Sequence, residues 1–242
     1  MPRPFRGMAK PQMTRLRPDI ALIEYSDAGA EEAHISTNTY ALLSAGRTLL
    51  LDTSVSSLLP FVRQLSDIGY SPAALVLSHR HVVGLGDAIG NISTEFKIPV
   101  LLHPIDARHQ QALDSGIHFE NPVGHPIIGE FGFEAILFPG QTAGSVVLYT
   151  AKHRGVLLTG DSATGTNAKQ AKAGLERLVR PPIETSVDDA ELREQWLAFN
   201  RPISTVLPFH RTGYIDRQVD DLALIMRSLV RPEPTHWDEI GD

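Results

Sequence analysis

Apolar residues along the 242-residue chain recur with two periods, and the changes between them mark out its elements. Ile20–Tyr25 and the runs 39–43 and 48–51 are short and apolar-rich, separated by turn formers such as Asp27-Ala28-Gly29 and Ala45-Gly46, which predicts consecutive strands. Over 55–68 the period becomes helical: Val55, Leu58, Leu59, Val62 and Leu65 fall on one face, Ser54 stands at a capping position and Gly69 ends the run. Ala73-Ala74-Leu75-Val76-Leu77 predicts a buried strand, 87–96 a helix, 100–102 a strand and 104–113 a further helix.

The second half repeats this style. Runs 134–138, 145–150 and 155–159 predict strands, the last two joined by a hairpin around Lys152-His153-Arg154. The stretch 165–185 has few apolar residues and predicts a loop, 187–199 a helix, and Thr205-Val206-Leu207-Pro208-Phe209 a late strand. Ile215, Val219, Leu222, Met226 and Leu229 are spaced by four, three, four and three, which predicts a last helix over 215–230. Strands followed by mixed strand–helix units, twice over, predict an α/β protein with two sheets packed face to face and helices outside. Residues 1–19, basic and proline-containing, read as a flexible arm, and 20–242 as one domain.

Composition narrows the function classes. With 42% hydrophobic and 21% charged residues the chain can bury a large core. A net charge of −6 argues against a polyanion, so no nucleic-acid partner is expected. No apolar run approaches the roughly 20 residues that span a bilayer, and the N-terminus lacks the apolar core of a secretory signal. The expectation is a cytoplasmic protein with a small-molecule ligand or substrate and no membrane partner. There is no cysteine, so any metal must be held by His, Asp, Glu or an amide.

The candidate chemistry begins at Ser78-His79-Arg80-His81-Val82-Val83-Gly84-Leu85-Gly86-Asp87, directly after the 73–77 strand. Four further segments accompany it in order: Leu49-Leu50-Leu51-Asp52-Thr53, Phe138-Pro139-Gly140-Gln141-Thr142-Ala143-Gly144-Ser145, Leu157-Leu158-Thr159-Gly160-Asp161-Ser162, and Leu207-Pro208-Phe209-His210. Together they resemble the metallo-β-lactamase superfamily, with its T-H-x-H-x-D-H-x-G-G turn, its P-G-H-T-x-G-S and T-G-D segments and its late histidine strand. The resemblance is to a divergent member, of the glyoxalase II and lactonase kind, and covers about residues 20 to 215.

That resemblance implies a four-layer αββα sandwich and a two-metal hydrolytic site. Mapped by motif, site one would use His79, His81, the position of Gln141, and Asp161. Site two would use the positions of Val83 and Gly84 with Asp161 and His210, and Asp52 would orient the first turn. Val83 cannot coordinate, Gly84 offers only backbone, and a neutral amide at 141 is a poor substitute for imidazole on zinc. Site two therefore falls short. Site one keeps His79, His81 and Asp161, which meets the roughly three-ligand minimum of a catalytic zinc site.

Two arrangements lead, ahead of an unconventional metal arrangement and of an enzyme that reuses the cleft for metal-free chemistry. One is a single zinc or iron ion serving a hydrolase of a small ester, thioester or lactone, with Gln141 and His210 contacting water or substrate. The other is a metal-free hydrogen-bonded cluster in a non-catalytic binding or interaction protein that keeps the fold and its pocket. Asp87 is expected to cap a helix or pair with Arg80 rather than bind metal, and His103 to be a non-ligand. His34, His109, His118, His125, His153 and His236 have no motif context. Ala143-Gly144-Ser145 is no nucleophile elbow, and the glycines at 84–90 lack the spacing and lysine of a phosphate loop. The segments 116–130 and 165–185 are expected to border the pocket.

Overall fold

The computed structural model describes residues 12–25, 37–53, 58–84, 88–167, 170 and 173–240. Eleven strands form its sheet: β1 (Gln12–Arg17), β2 (Ile20–Tyr25), β3 (Thr37–Ser44), β4 (Arg47–Leu51), β5 (Ser71–Val76), β6 (Val100–Leu101), β7 (Phe119–Glu120), β8 (Glu134–Leu137), β9 (Val146–Thr150), β10 (Val156–Thr164) and β11 (Thr205–His210). Strands β1 to β7 make one half and β8 to β11 the other. The halves meet where β3 pairs with β11 at a single position, Thr37 opposite His210. That corner lets the sheet fold back on itself, which is the two-sheet arrangement expected from the sequence.

Side-chain alternation along the strands assigns the layers. Leu50 and Leu75 face outward with Val62 and Leu65 of helix α1 (Leu59–Asp67) and Ile89 and Ile92 of α2 (Ala88–Phe96). Their neighbours Leu49, Leu51 and Val76 face inward and pack with Leu148, Val156, Leu158 and Leu207 of the other half. On the far side Leu157 and Val206 face Leu192 and Trp196 of α6 (Asp189–Ala198) and Leu222 and Ile225 of α7 (Val219–Met226). These three apolar interfaces separate four layers, in the order α, β, β, α. Each fully buried Leu or Val contributes about 1.5–3 kcal/mol through removal from water.

Several elements differ from the sequence expectation for identifiable reasons. Residues 12–17, assigned to a flexible arm, form β1, antiparallel to β2; residues 1–11 lie outside the described residues. The helix expected over 104–113 is two short ones, α3 (Pro104–Ala107) and α4 (Gln110–Asp114), because His109 takes an extended backbone between them. The expected cap Ser54 lies outside the described residues; described α1 begins at Leu59 with a proline in its first turn. The expected 215–230 helix starts at Val219 and tightens into a 3-10 turn at Arg227–Val230. Short α5 (Pro126–Glu130), β7 and α8 (Trp237–Ile240) have too little apolar periodicity to be foreseen. Among the described residues no helix is long and apolar enough to cross a membrane.

Candidate functional site

The sheet ends bring the motif residues together. Strand β5 runs out at Val76, and the chain turns through His79 into a 3-10 turn at Arg80–Gly84. This turn sits against β10 because Gly160 has no side chain: a Cβ there would approach that of Ser78 to 2.3 Å. Asp52, just past β4, holds the turn from the other side. Its Oδ1 accepts the Ser78 backbone N–H at 2.7 Å, and its backbone takes a left-handed φ of 55° to do so. Ser78 Oγ in turn lies 2.9 Å from Nδ1 of His79. The imidazole of His79 stacks edge-on against His81 and Phe209, with ring centroids 5.3 and 5.7 Å away.

Gln141 is the centre of the constellation. Its Nε2 is 2.9 Å from Nδ1 of His81 and donates to Oδ2 of Asp161 at 3.1 Å, while its Oε1 accepts from Ser145 Oγ at 3.3 Å. The amide thus ties the first turn to β10. On the far side of Asp161, Oδ1 is 3.6 Å from Nε2 of His210 and has no hydrogen-bond partner among the described residues. The structure therefore brings His79, His81, Gln141, Asp161 and His210 into one cluster, supported by Asp52. Val83 is not part of it, since its side chain is buried in the outer core beside α1 and α2. Asp87 lies outside the described residues.

The sequence did not single out Asp106, yet it locks the two loops together. This fully buried carboxylate accepts from the Arg80 backbone N–H at 2.8 Å and its guanidinium at 3.1 Å, from Thr142 Oγ1 at 2.6 Å and from the Gly144 N–H at 3.0 Å. Gly144 is required for this approach, because a Cβ would meet Asp106 Cγ at 2.7 Å. Among the other described histidines, His103 and His125 accept N–H groups at helix starts, His153 pairs with Asp19 and His236 with Glu184; His34 lies outside the described residues.

Burial makes the cluster a weakly charged one. It holds His79 well below the ordinary imidazole range, helped by the charges of His81, His210 and Arg80. Burial and Arg80 also lower His81. Asp161 is pushed well above the ordinary carboxylate range, first by burial and then by the charge of Asp52. Asp52 itself is raised to about 7 by burial, against the hydrogen bonds from Ser78.

His79, His81, Asp161 and His210 of the cluster line a cleft of about 230 Å³, with Gln141 buried behind them. Pro182 and Thr185, from the loop expected to border a pocket, line it, whereas 116–130 does not. A larger groove of about 380 Å³ lies in the outer layer between α6 and α7, but no imidazole or carboxylate is among the described residues that line it.

A two-ion centre does not fit these residues. Val83 is turned into the core, and among the described residues no group of three or more His, Asp or Glu side chains is arranged to hold a metal ion. A single ion at the mapped site meets a further obstacle. Both His81 Nδ1 and Asp161 Oδ2 face the amide nitrogen of Gln141, a donor that cannot coordinate. As arranged, His81 Nδ1 and Asp161 Oδ2 are taken up by hydrogen bonds to the amide rather than left open to an ion.

No protein-family model matches the chain, and no curated protein matches it. Its structure is similar to those of several metallo-β-lactamases. With the enzyme from Hirschia baltica it shares 14% identity over 93% of this chain and 100% of that one, at a TM-score of 0.68. With the one from Erythrobacter litoralis it shares 12% identity over 90% and 97%, at a TM-score of 0.67. The DIM-1 enzyme exposed to ceftazidime gives 12%, the same coverage and a TM-score of 0.66. At these identities the likeness establishes the fold, so this chain has the metallo-β-lactamase fold.

Proposed function

We propose that this chain is a small-molecule-binding protein on a metallo-β-lactamase fold, in which the cluster around Gln141 takes the place of a two-metal centre. The observation that supports this reading is the bridging amide: one Gln141 nitrogen bonds both His81 and Asp161, two of the three groups that a first metal site would need. A buried polar group left without a partner costs about 1–3 kcal/mol, so a side chain that satisfies two of them at once stabilises the metal-free arrangement. The cleft above remains open to a ligand.

Elemental analysis of protein purified without added metal, then repeated after zinc and iron reconstitution, tests this. Substoichiometric metal in both preparations is expected. About one ion per chain, lost on chelation, would overturn the reading.

A second reading rests on a specific atom. Asp161 Oδ1 is buried, lacks a hydrogen-bond partner among the described residues and lies 3.6 Å from His210, an environment that a cation would satisfy. In that reading the protein is at most a mononuclear hydrolase of a small ester, thioester or lactone. His79, His81 and Asp161 would hold a zinc or iron ion after the Gln141 amide turns over, and Asp161 and His210 would be the catalytic groups. Turnover that disappears in both His79→Ala and Asp161→Asn would favour this second reading.

A further inference from the structure

Helix α7 presents one apolar face to the groove of the outer layer. Val219, Ala223, Met226 and Val230 recur at spacings of four, three and four and all line it. From Val219 to Met226 this stripe runs roughly 10 Å, at about 1.5 Å per residue. Trp196, Phe199 and Ile203 line the groove from the other side. Val219 is 69% exposed, so apolar surface is left open to solvent there. At about 380 Å³ the groove lies within the roughly 300–1,000 Å³ of small-molecule sites.

The groove has a more polar neighbour. A second hollow of about 170 Å³ adjoins it, and Phe199 and Arg201 line both. Gln195 and Asn200 bring amides to the second hollow, and Arg227 brings a second guanidinium to the first. The Arg201 guanidinium lies over the Tyr149 ring, 4.9 Å from its centroid, which holds it at the junction. Glu134 pairs with its Nη1, but both side chains are part-exposed, and a pair of this kind is easily shared with an entering anion. The guanidinium fork matches a carboxylate. On a chain of net charge −6, two guanidiniums beside an apolar groove select an anion.

We propose that this groove is a second binding site, for a free organic carboxylate with an unbranched apolar tail. The tail lies along α7, and the carboxylate meets Arg201 beside the amides of Gln195 and Asn200. Among the described residues the site shares no lining side chain with the histidine cleft, so it stands independently of what that cleft binds.

Sodium octanoate, sodium hexanoate, 1-octanol and octylammonium chloride serve as probes, titrated into full-length protein carrying 13C-methyl methionine. The chain has four methionines, and Met226→Leu identifies the signal from the groove. Octanoate is expected to move the Met226 signal and to bind at least about fivefold more tightly than hexanoate, because it buries two more methylenes. It should also bind at least about fivefold more tightly than 1-octanol or octylammonium. Arg201→Gln keeps a donor but removes the charge, so octanoate affinity should fall about tenfold while 1-octanol stays within about twofold. Ala223→Phe fills the groove and should abolish octanoate binding. Both positions are exposed, and both variants should melt like the parent.

Binding of 1-octanol or octylammonium as tight as that of octanoate, octanoate affinity unchanged in Arg201→Gln, or a Met226 signal that stays still would overturn the proposal. So would a Met226 signal that moves with protein concentration alone, which would assign the groove to a second copy of the chain. A signal that moves only with phosphatidylglycerol vesicles would assign it to a membrane surface and overturn the proposal as well.

Discussion

Nε2 of Gln141 lies 2.9 Å from Nδ1 of His81, the pairing that turns a row of metal-ligand positions into a hydrogen-bonded cluster. The same nitrogen bonds Asp161, so its removal leaves two buried groups unsatisfied. Gln141→Ala is expected to destabilise the fold by about 2–4 kcal/mol, measured by urea denaturation. Gln141→His should instead place an imidazole where the amide now donates and raise zinc affinity by at least about tenfold, read by competition with a chromophoric chelator. An unchanged zinc affinity in that variant would mean that the missing ligands at positions 83 and 84 decide the matter.

Asp52 gives the stability a pH dependence of defined sign. Its carboxyl titrates near 7 in the folded protein against 3.8 in the unfolded chain. The folded state therefore holds a proton that the unfolded chain releases, and this contribution is present below about pH 4 and lost as pH rises to about 7. His79 and His81 act oppositely: both are lowered, so their burial costs stability below about pH 6.5 and the cost fades above it. Comparing Asp52→Asn with the parent isolates the carboxyl. The melting temperature of the variant minus that of the parent should grow by several degrees between pH 5 and pH 7 and then level off. A flat difference would show that Asp52 is ionised throughout.

The layers were legible because they depend on local periodicity. Leu49, Leu50 and Leu51 announce a strand buried on both faces, and their alternation between two cores follows from the pleat alone. The motif residues were legible as a group because strand ends converge on one edge of such a sheet. Residue 141 could be seen as a lost ligand, but its role as a bridge depends on rotamers that no spacing reveals. Asp106 and Trp237 were silent for another reason. Asp106 lies on a four-residue helix and Trp237 some 27 positions after His210, and each reaches the site only through contacts distant in sequence. A short polar–apolar stretch carries no periodic signal of such a destination.

Asp106 is the joint between the histidine turn and the Gln141 loop, with four hydrogen bonds converging on one buried carboxylate. Asp106→Ala strands the Arg80 guanidinium and two backbone N–H groups, leaves the Thr142 hydroxyl only Ser145 Oγ, and should cost about 3–5 kcal/mol. Asp106→Asn keeps one acceptor oxygen and should cost less. Amide exchange should accelerate at Arg80 and Gly144 in both variants while the α7 amides keep their parental ranking. Uniform acceleration across the chain would mean that Asp106 serves global stability with no particular hold on the site.

Arg180 ties the roof of the cleft to the outer helical layer. It is fully buried, and all five of its N–H donors are used: a two-pronged pair with Asp189 at 2.7 and 2.9 Å, and the carbonyls of Leu229, Arg231 and Glu233 at 2.7, 2.9 and 2.8 Å. Its neighbour Pro182 lines the cleft, and the carbonyls it holds lead directly into α8. Lysine brings three donors and no planar fork, so Arg180→Lys should behave as a broken buried pair and cost about 3–5 kcal/mol. The loss should also loosen α8 before the core unfolds. At temperatures where the far-ultraviolet signal is still native, acrylamide should quench Trp237 more strongly in the variant than in the parent, with Trp196 still protected. Parental quenching in a variant that is merely less stable would show that α8 is held by Glu239 and Thr235 alone.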